Sequence, residues 1–233
     1  MKNVKLKMKK ILLLFPLAVL LLTSCVSTRT RQSQYPNMYT EHPATILVMP
    51  PINNTTNVEA KDLLYTSISY PLIEAGYYVV SPLLAMEVFK AESAYDAELF
   101  YDKDAGVFAR VFGADAVVFS IIDSWQKEGL GIRTNIHYVI KSTTTNDILF
   151  ERQCNLFLDL STRSDNSSNS SFLSTLIDLT ASVITTALTD HIVAARKCNY
   201  YIFQDLPRGK YSPQYQQDME TPASEKNTSV TVK

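Results

Sequence analysis

The sequence is poor in residues that carry metal or acid–base chemistry. It holds three histidines, His42, His137 and His191. None stands at a metal-ligand spacing such as H-E-x-x-H, so no metal site is expected and each reads as structural. His137 falls opposite the apolar face of a predicted strand, and His191 within a predicted helix stripe. No G-x-S-x-G elbow occurs. Gly129-Leu130-Gly131 lacks the third glycine of a dinucleotide loop and follows a strand that turns back, so it reads as a turn. Asp102 and Asp104, near Glu98, read as solvated or capping charges at a helix start. These absences predict a chain that is not an enzyme and needs no cofactor. A basic excess is missing too. Five of the 22 basic residues, Lys2, Lys5, Lys7, Lys9 and Lys10, precede Cys25, whereas none of the 23 acidic residues does. From Cys25 onward the net charge is therefore −6. That excludes nucleic acid and anionic headgroups as the main ligand, because both reward a basic patch.

The one long apolar run, Ile11 to Leu22, follows that basic head and is broken only by Pro16. At about a dozen residues it falls short of the roughly 20 needed to span a bilayer. Basic head, short apolar middle and small residues before a cut site make a secretory signal over residues 1–24. Leu22-Thr23-Ser24-Cys25 closes it. This stretch resembles the lipobox of bacterial lipoproteins, in which the thiolate of the cysteine accepts a diacylglyceryl group. The resemblance implies a mature chain that begins at Cys25, lipidated there. Val26 is not acidic, which by the sorting habit of such lipoproteins implies an outer-membrane address, lipid-anchored and facing the periplasm. Each buried methylene contributes about 0.8 kcal/mol, so several acyl chains hold a soluble domain at the membrane.

Two cysteines remain, Cys154 and Cys198. An oxidising envelope allows a disulfide between them; the other reading is two buried small apolar residues. Spacing does not decide between the two.

The remaining chain divides by composition. Residues 25–43 are polar, without apolar period, and read as a flexible tether. Residues 44–204 read as a single α/β domain. Residues 205–233 are rich in Pro, Gln, Ser, Thr and Lys and read as a disordered tail. Within the domain, Ala44–Met49 is a continuous apolar run ended by Pro50-Pro51, the mark of a buried strand. Ile52–Val58 is turn chemistry. Leu63, Leu64, Ile68, Leu72 and Ile73 recur at helical spacing over Glu59–Ala75, with Pro71 expected to kink or end the helix early. Tyr77–Val80 reads as a second strand. Ser81-Pro82 opens a further helix, serine capping and proline at the first position. Another helical piece covers Asp104–Phe112. Asp115–Trp125, Ile132–Ser142 and Ile148–Leu160 read as three strands. In the second of these Ile132, Thr134, Ile136, Tyr138 and Ile140 share one face. Ser161–Ser171 is a low-complexity loop. Phe172–Lys197 is a long amphipathic helix, and Tyr200–Phe203 a further strand or packed extension. The order β-α-β-α-α-β-β-β-α predicts a mixed sheet of about five strands, two early parallel strands and then an antiparallel meander, with helices packed against it.

Ile46–Pro51 (ILVMPP), Tyr70–Val80 (YPLIEAGYYVV) and Phe112–Phe119 (FGADAVVF) resemble a family of bacterial lipoproteins of unknown function, typified by a neisserial lipoprotein antigen. The resemblance covers Ala44 to Lys197. More distantly the layout is similar to the periplasmic domain of the curli-secretion lipoprotein and to the amino-terminal domain of the Tol translocation protein. These resemblances imply a non-enzymatic role in envelope assembly or scaffolding, with other envelope proteins as partners or a homo-oligomer. The short-turned Ile132–Leu160 hairpin lacks a lipid-facing band, which argues against a pore. The alternative is a small-molecule or glycan-binding lipoprotein, or a hydrolase, using the loop after the first strand. Asn53, Asn54 and Thr55 leave the carboxyl end of that strand, where open α/β sheets bind ligands. A polar turn is the simpler reading of the same residues. Tyr200, Tyr201, Tyr211 and Tyr215 could form a protein-contact patch.

Overall fold

A computed structural model describes residues 29–161 and 186–233. The leader, Cys25, most of the Ser-Asn stretch and residues 172–185 of the expected long helix lie outside the described residues. The elements are α1 (Arg31–Gln34), α2 (Pro36–Glu41), β1 (Thr45–Val48), β2 (Ile52–Asn53), α3 (Glu59–Glu74), β3 (Tyr78–Val79) and α4 (Pro82–Ala91). They continue with α5 (Glu98–Tyr101), α6 (Gly106–Phe112), β4 (Ala116–Glu128), β5 (Gly131–Ser142), β6 (Ile148–Asp159), α7 (Thr186–Phe203) and β7 (Asn227–Val232). Among the described residues, seven strands form one mixed sheet in the order β3-β1-β4-β5-β6-β7, with β2 also paired to β4. The expected α/β class with a mixed sheet is what the chain adopts. The early strands β1 and β3 are parallel, and β4–β5–β6 is an antiparallel meander.

Two strands go beyond the expected five. Pro50-Pro51 interrupts pairing, since proline donates nothing to a ladder. The chain nevertheless rejoins β4 as β2, opposite Ile121 and Ile122. β7 pairs in parallel with β6 from Gln153↔Asn227 to Leu158↔Val232. Other differences are local. Pro71 sits inside α3, which runs one turn past it before Gly76 turns the chain at φ 94°. Ser81 stands at the α4 N-cap, but its side chain makes no capping bond. β4 extends to Glu128, so the hairpin turn is only Gly129-Leu130, with Gly129 at φ 57°. Tyr200–Phe203 is neither strand nor separate extension but the end of α7, where Ile202 and Phe203 are buried.

Each face of the sheet has its own core. On one side α3 and α7 cover Ile46, Val48, Ile122, Ile136, Tyr138, Ile140, Cys154 and Leu156. On the other, α4–α6 cover Leu47, Met49, Val117 and Phe119, chiefly through Phe89 and Phe108. Among the described residues, that second layer leaves the outer half of the sheet open. Residues of β6 there alternate buried and half-buried, as a one-sided sheet requires. A polar thread locks the first layer: the buried Tyr138 hydroxyl donates to Asn199 at 2.7 Å, and Asn199 donates to Ser67 at 2.9 Å.

Cys154 and Cys198 meet within this core as free thiols, so the structure does not contain the bridge the sequence allows. Cys198 shares a hydrogen bond with Thr134 at 3.1 Å. Burial, and then the hydrogen bond with Cys154, push its pKa well up.

The boundaries drawn at 43/44 and 204/205 do not hold. The supposed tether folds from Arg29: Tyr35, Met38 and Tyr39 are buried, an i, i+3, i+4 stripe that brief helices can present. The supposed disordered tail buries Leu206 and Asp218 and ends in β7. The physical reason is a buried ionic clasp joining the two segments. Arg152 on β6 is fully buried and donates to Asp205 at 2.6 Å and to Thr228 at 2.5 Å. Asp205 also accepts from the Tyr35 hydroxyl at 2.6 Å and from the Ser224 amide at 3.0 Å. Arg31 donates to Asp218 at 3.0 Å and to the Gln204 carbonyl at 2.8 Å. Two arginines and two aspartates thus neutralise one another out of water, the condition under which buried charge is tolerated. Burial, then the bond to Asp205, raise the Tyr35 pKa, so its hydroxyl stays a donor.

Candidate functional site

The open half of the sheet holds a groove of about 370 Å³ lined by Asp123, His137, Glu151, Gln153, Lys226 and Asn227. Cross-strand pairing assembles it. His137 faces Gln153, which in turn faces Asn227, so β5, β6 and β7 each contribute one residue at the same level. Glu151 lies two residues before Gln153, on the same side of β6. A register shift in β4 between Ile122 and Ser124 leaves Asp123 exposed at the rim.

Glu151 is the electrostatic centre. One carboxylate oxygen pairs with His137 Nε2 at 2.9 Å, the other with Lys226 Nζ at 2.5 Å. Partial burial acts to raise its pKa. The hydrogen bonds from Lys226 and His137 outweigh that and hold it below the usual carboxylate range. Gln153 donates to Asn135 at 2.9 Å. The groove therefore offers amide and ammonium donors beside fixed carboxylate acceptors. None of its six lining residues is a hydroxyl or thiol nucleophile. Among the described residues no group of His, Cys, Asp and Glu could hold a metal ion.

The loop residues expected to bind a ligand are only partly brought here. Asn54 reaches the rim, its amide 3.4 Å from Asp123. Asn53 and Thr55 are engaged with the loop itself. Asn53 accepts from the Thr55 amide at 3.1 Å and hydroxyl at 2.8 Å, and donates to the Asn57 carbonyl at 2.8 Å. Asn57 in turn accepts from the Ala60 amide at 3.1 Å, satisfying a free donor at the start of α3. This part of the loop is an Asx turn leading into a helix.

The histidines part company. His137 lines the groove, in keeping with its place opposite the apolar face. His191 is buried against Trp125, whose indole donates to its Nδ1 at 2.6 Å. His42 stands apart at φ 51°, in edge contact with Tyr215, beside a second hollow of about 280 Å³ lined also by Glu41, Asp115, Lys210 and Thr144. Asp115 there is committed to the backbone amides of Ala44 and Thr45, both at 2.9 Å. Of the four tyrosines, Tyr200 and Tyr201 are neighbours on α7, whereas Tyr215 packs on His42. Asp104 caps Gly106 at 3.1 Å, as a charge at a helix start does.

Lys226 and Asn227 fall in the stretch whose composition reads as a disordered tail. The signal that places them is the alternation Asn-Thr-Ser-Val-Thr-Val over 227–232, rich in β-branched residues. Glu151 and Gln153 are legible as the outward set of a half-buried strand.

Residues 33–201 match the family model described as "Putative lipoprotein GNA1162-like". A curated relative from Neisseria meningitidis serogroup B, "Putative lipoprotein NMB1124/NMB1162", is 31% identical over 108 residues, covering 46% of this chain and 50% of that protein. The match thus spans half the length of that relative. Among solved structures, lipoprotein GNA1162 from Neisseria meningitidis aligns at 23% identity and a TM-score of 0.47, over 61% of this chain and 100% of that one. A PelC dodecamer from Paraburkholderia phytofirmans aligns at 11% identity and TM-score 0.40, over 73% and 90% of the two chains. The LpoB C-terminal domain from Salmonella enterica aligns at 14% identity and TM-score 0.33, over 53% and 93%.

Proposed function

We propose, because this chain belongs to the GNA1162-like lipoprotein family, that it is acylated at Cys25, anchored in the outer membrane facing the periplasm, and acts there as a non-enzymatic interaction component of the envelope. Its partners are other envelope proteins or further copies of itself. The observation that supports this reading is the open outer half of the sheet. There β4–β7 present a groove of paired charges and amides to solvent while their other side is sealed beneath α7. Polar, solvated rims with few anchors suit reversible protein contacts. The test is crosslinking in intact cells followed by mass spectrometry, comparing the natural chain with Glu151→Lys and Lys226→Glu variants. Envelope proteins captured by the natural chain and lost from both variants support the proposal. Undiminished capture, or a measured turnover, overturns it.

A second reading, a small polar ligand such as a glycan in the same groove, draws on the Asn54–Asp123 contact and on a volume within the range of small-ligand sites. Calorimetric titration with oligosaccharides separates the two: binding lost on Asp123→Ala favours the ligand.

A further inference from the structure

The first described residues after Cys25, from Arg29 onward, are latched into the body of the protein. Ala223 donates its amide to the Arg29 carbonyl at 2.7 Å, Arg31 to the Thr221 carbonyl at 2.9 Å, and Gln32 to the Met219 carbonyl at 3.1 Å. Thr30 pairs with Pro222 in an antiparallel bridge and closes a reciprocal cap with Ser33. The Arg31 guanidinium, buried, is held by Asp218 and Gln204 just beneath. Cys25 and Arg29 are separated by Val26, Ser27 and Thr28 alone. Four residue steps of extended chain reach at most about 14 Å. A body of this chain's size has a radius of gyration of about 17 Å and an outer radius near 20 Å. The leash is therefore shorter than the body's own radius. A flexible segment running to residue 43 would instead have had a root-mean-square span of about 24 Å and left the body free to turn.

We infer that the face formed by Arg29, Thr30 and residues 219–224 abuts the leaflet that carries the acyl chains, so that the protein stands on the membrane in one orientation. This rests on the acylation of Cys25 proposed above. The occupant of this face is the lipid surface, and the reason is the length of chain left between anchor and latch. Charge does not drive the contact: beside the exposed Arg29 this face carries the exposed acids Glu220 and Glu225, and Lys226 is committed to Glu151. Contact with uncharged lipid is thus sufficient. The groove follows from the same geometry. Lys226 lies three residues past Ala223, so the groove opens beside the latch at the membrane-facing end of the sheet. The β4–β5 hairpin tip at Leu130 lies at the other end. Six residues of β6 separate the level of Asn227 from that of Gly131, about 20 Å at strand rise.

The test uses the full acylated chain reconstituted in phosphatidylcholine vesicles containing a lipid with a headgroup nitroxide. An environment-insensitive fluorophore is attached through Thr221→Cys in one sample and Leu130→Cys in another; Cys154 and Cys198, fully buried, do not compete for the label. The expected result is several-fold stronger nitroxide quenching at position 221 than at 130. Equal quenching in protein that still floats with the vesicles overturns the orientation and leaves acylation standing. Protein that fails to float overturns both. A second sample carries a Gly/Ser linker of about 20 residues between Ser27 and Thr28, long enough for a span of about 25 Å. It should still float while quenching at 221 falls to the level at 130; quenching that persists overturns the short-leash argument.

Discussion

Replacing Asp205 by alanine should remove the centre of the clasp that joins the two ends of the described chain. Asp205 is 3% exposed, and Arg152, its partner at 2.6 Å, is 0% exposed. Deleting the carboxylate leaves Arg152 buried with no counter-ion in contact, which costs about 3–5 kcal/mol. It also strips the Tyr35 hydroxyl and the Ser224 amide of their acceptor. Each such loss costs about 1–3 kcal/mol, although the increments share one network and do not simply add. The expected total is about 4 kcal/mol. In urea, at a slope of about 2–3 kcal/mol/M, the unfolding midpoint of the leaderless chain then falls by about 1.3–2 M. Arg152→Met alone should cost less, since Asp205 keeps Tyr35, Ser224 and the more distant Arg31. The double variant should be more stable than Asp205→Ala, because a neutral buried pair is better than a lone charge. A shift for Asp205→Ala within the ~0.5 kcal/mol of an ordinary surface change, or strict additivity in the double variant, would refute the argument that the clasp is buried and charged.

Other outcomes follow from single sites. Burial, and then the charge of Lys127, lower the His191 pKa, so its neutral ring accepts from Trp125. The unfolded state then binds the proton more readily, and stability present above the ordinary histidine pKa of about 6.5 declines as pH falls towards the lowered value. Trp125 is the only tryptophan, so its fluorescence should report that transition, and His191→Gln should abolish it. A β-carbon at Gly131 would collide with the Leu158 carbonyl oxygen and lie 2.6 Å from the Phe157 ring. Gly131→Ala should therefore lose about 1–3 kcal/mol in the same urea assay. Deleting residues 213–233 should lower the melting temperature markedly by calorimetry, because Asp218 and β7 go with them; an unchanged melt would restore the disordered tail. Thiol titration of unreduced protein in denaturant should return both Cys154 and Cys198 as free, in keeping with their state in the core.

What could be read from the sequence rested on local pattern. Ile132, Thr134, Ile136, Tyr138 and Ile140 alternate, and they do lie on one buried face of β5. Such periodicity, with proline and glycine punctuation, determined the strand and helix order and the α/β class. The same alternation set His137 outward, towards the groove. The hydrogen bonding within Ile52–Asn57 was also foreseeable, since Asn and Thr favour local turns.

The rest was decided by contacts between residues far apart in the chain. Arg152 occupies an inward position on β6, where a local reading expects an apolar residue, and only the arrival of Asp205 makes that placement tolerable. Arg31 and Asp218 find each other across nearly the whole described chain. Because these partners have no fixed spacing, polarity alone made both end segments look unstructured, and the groove lost Lys226 and Asn227 with them. Hydrophobic period belongs to a segment by itself. Charge pairing belongs to two segments, and it exists only once the sheet has brought them together.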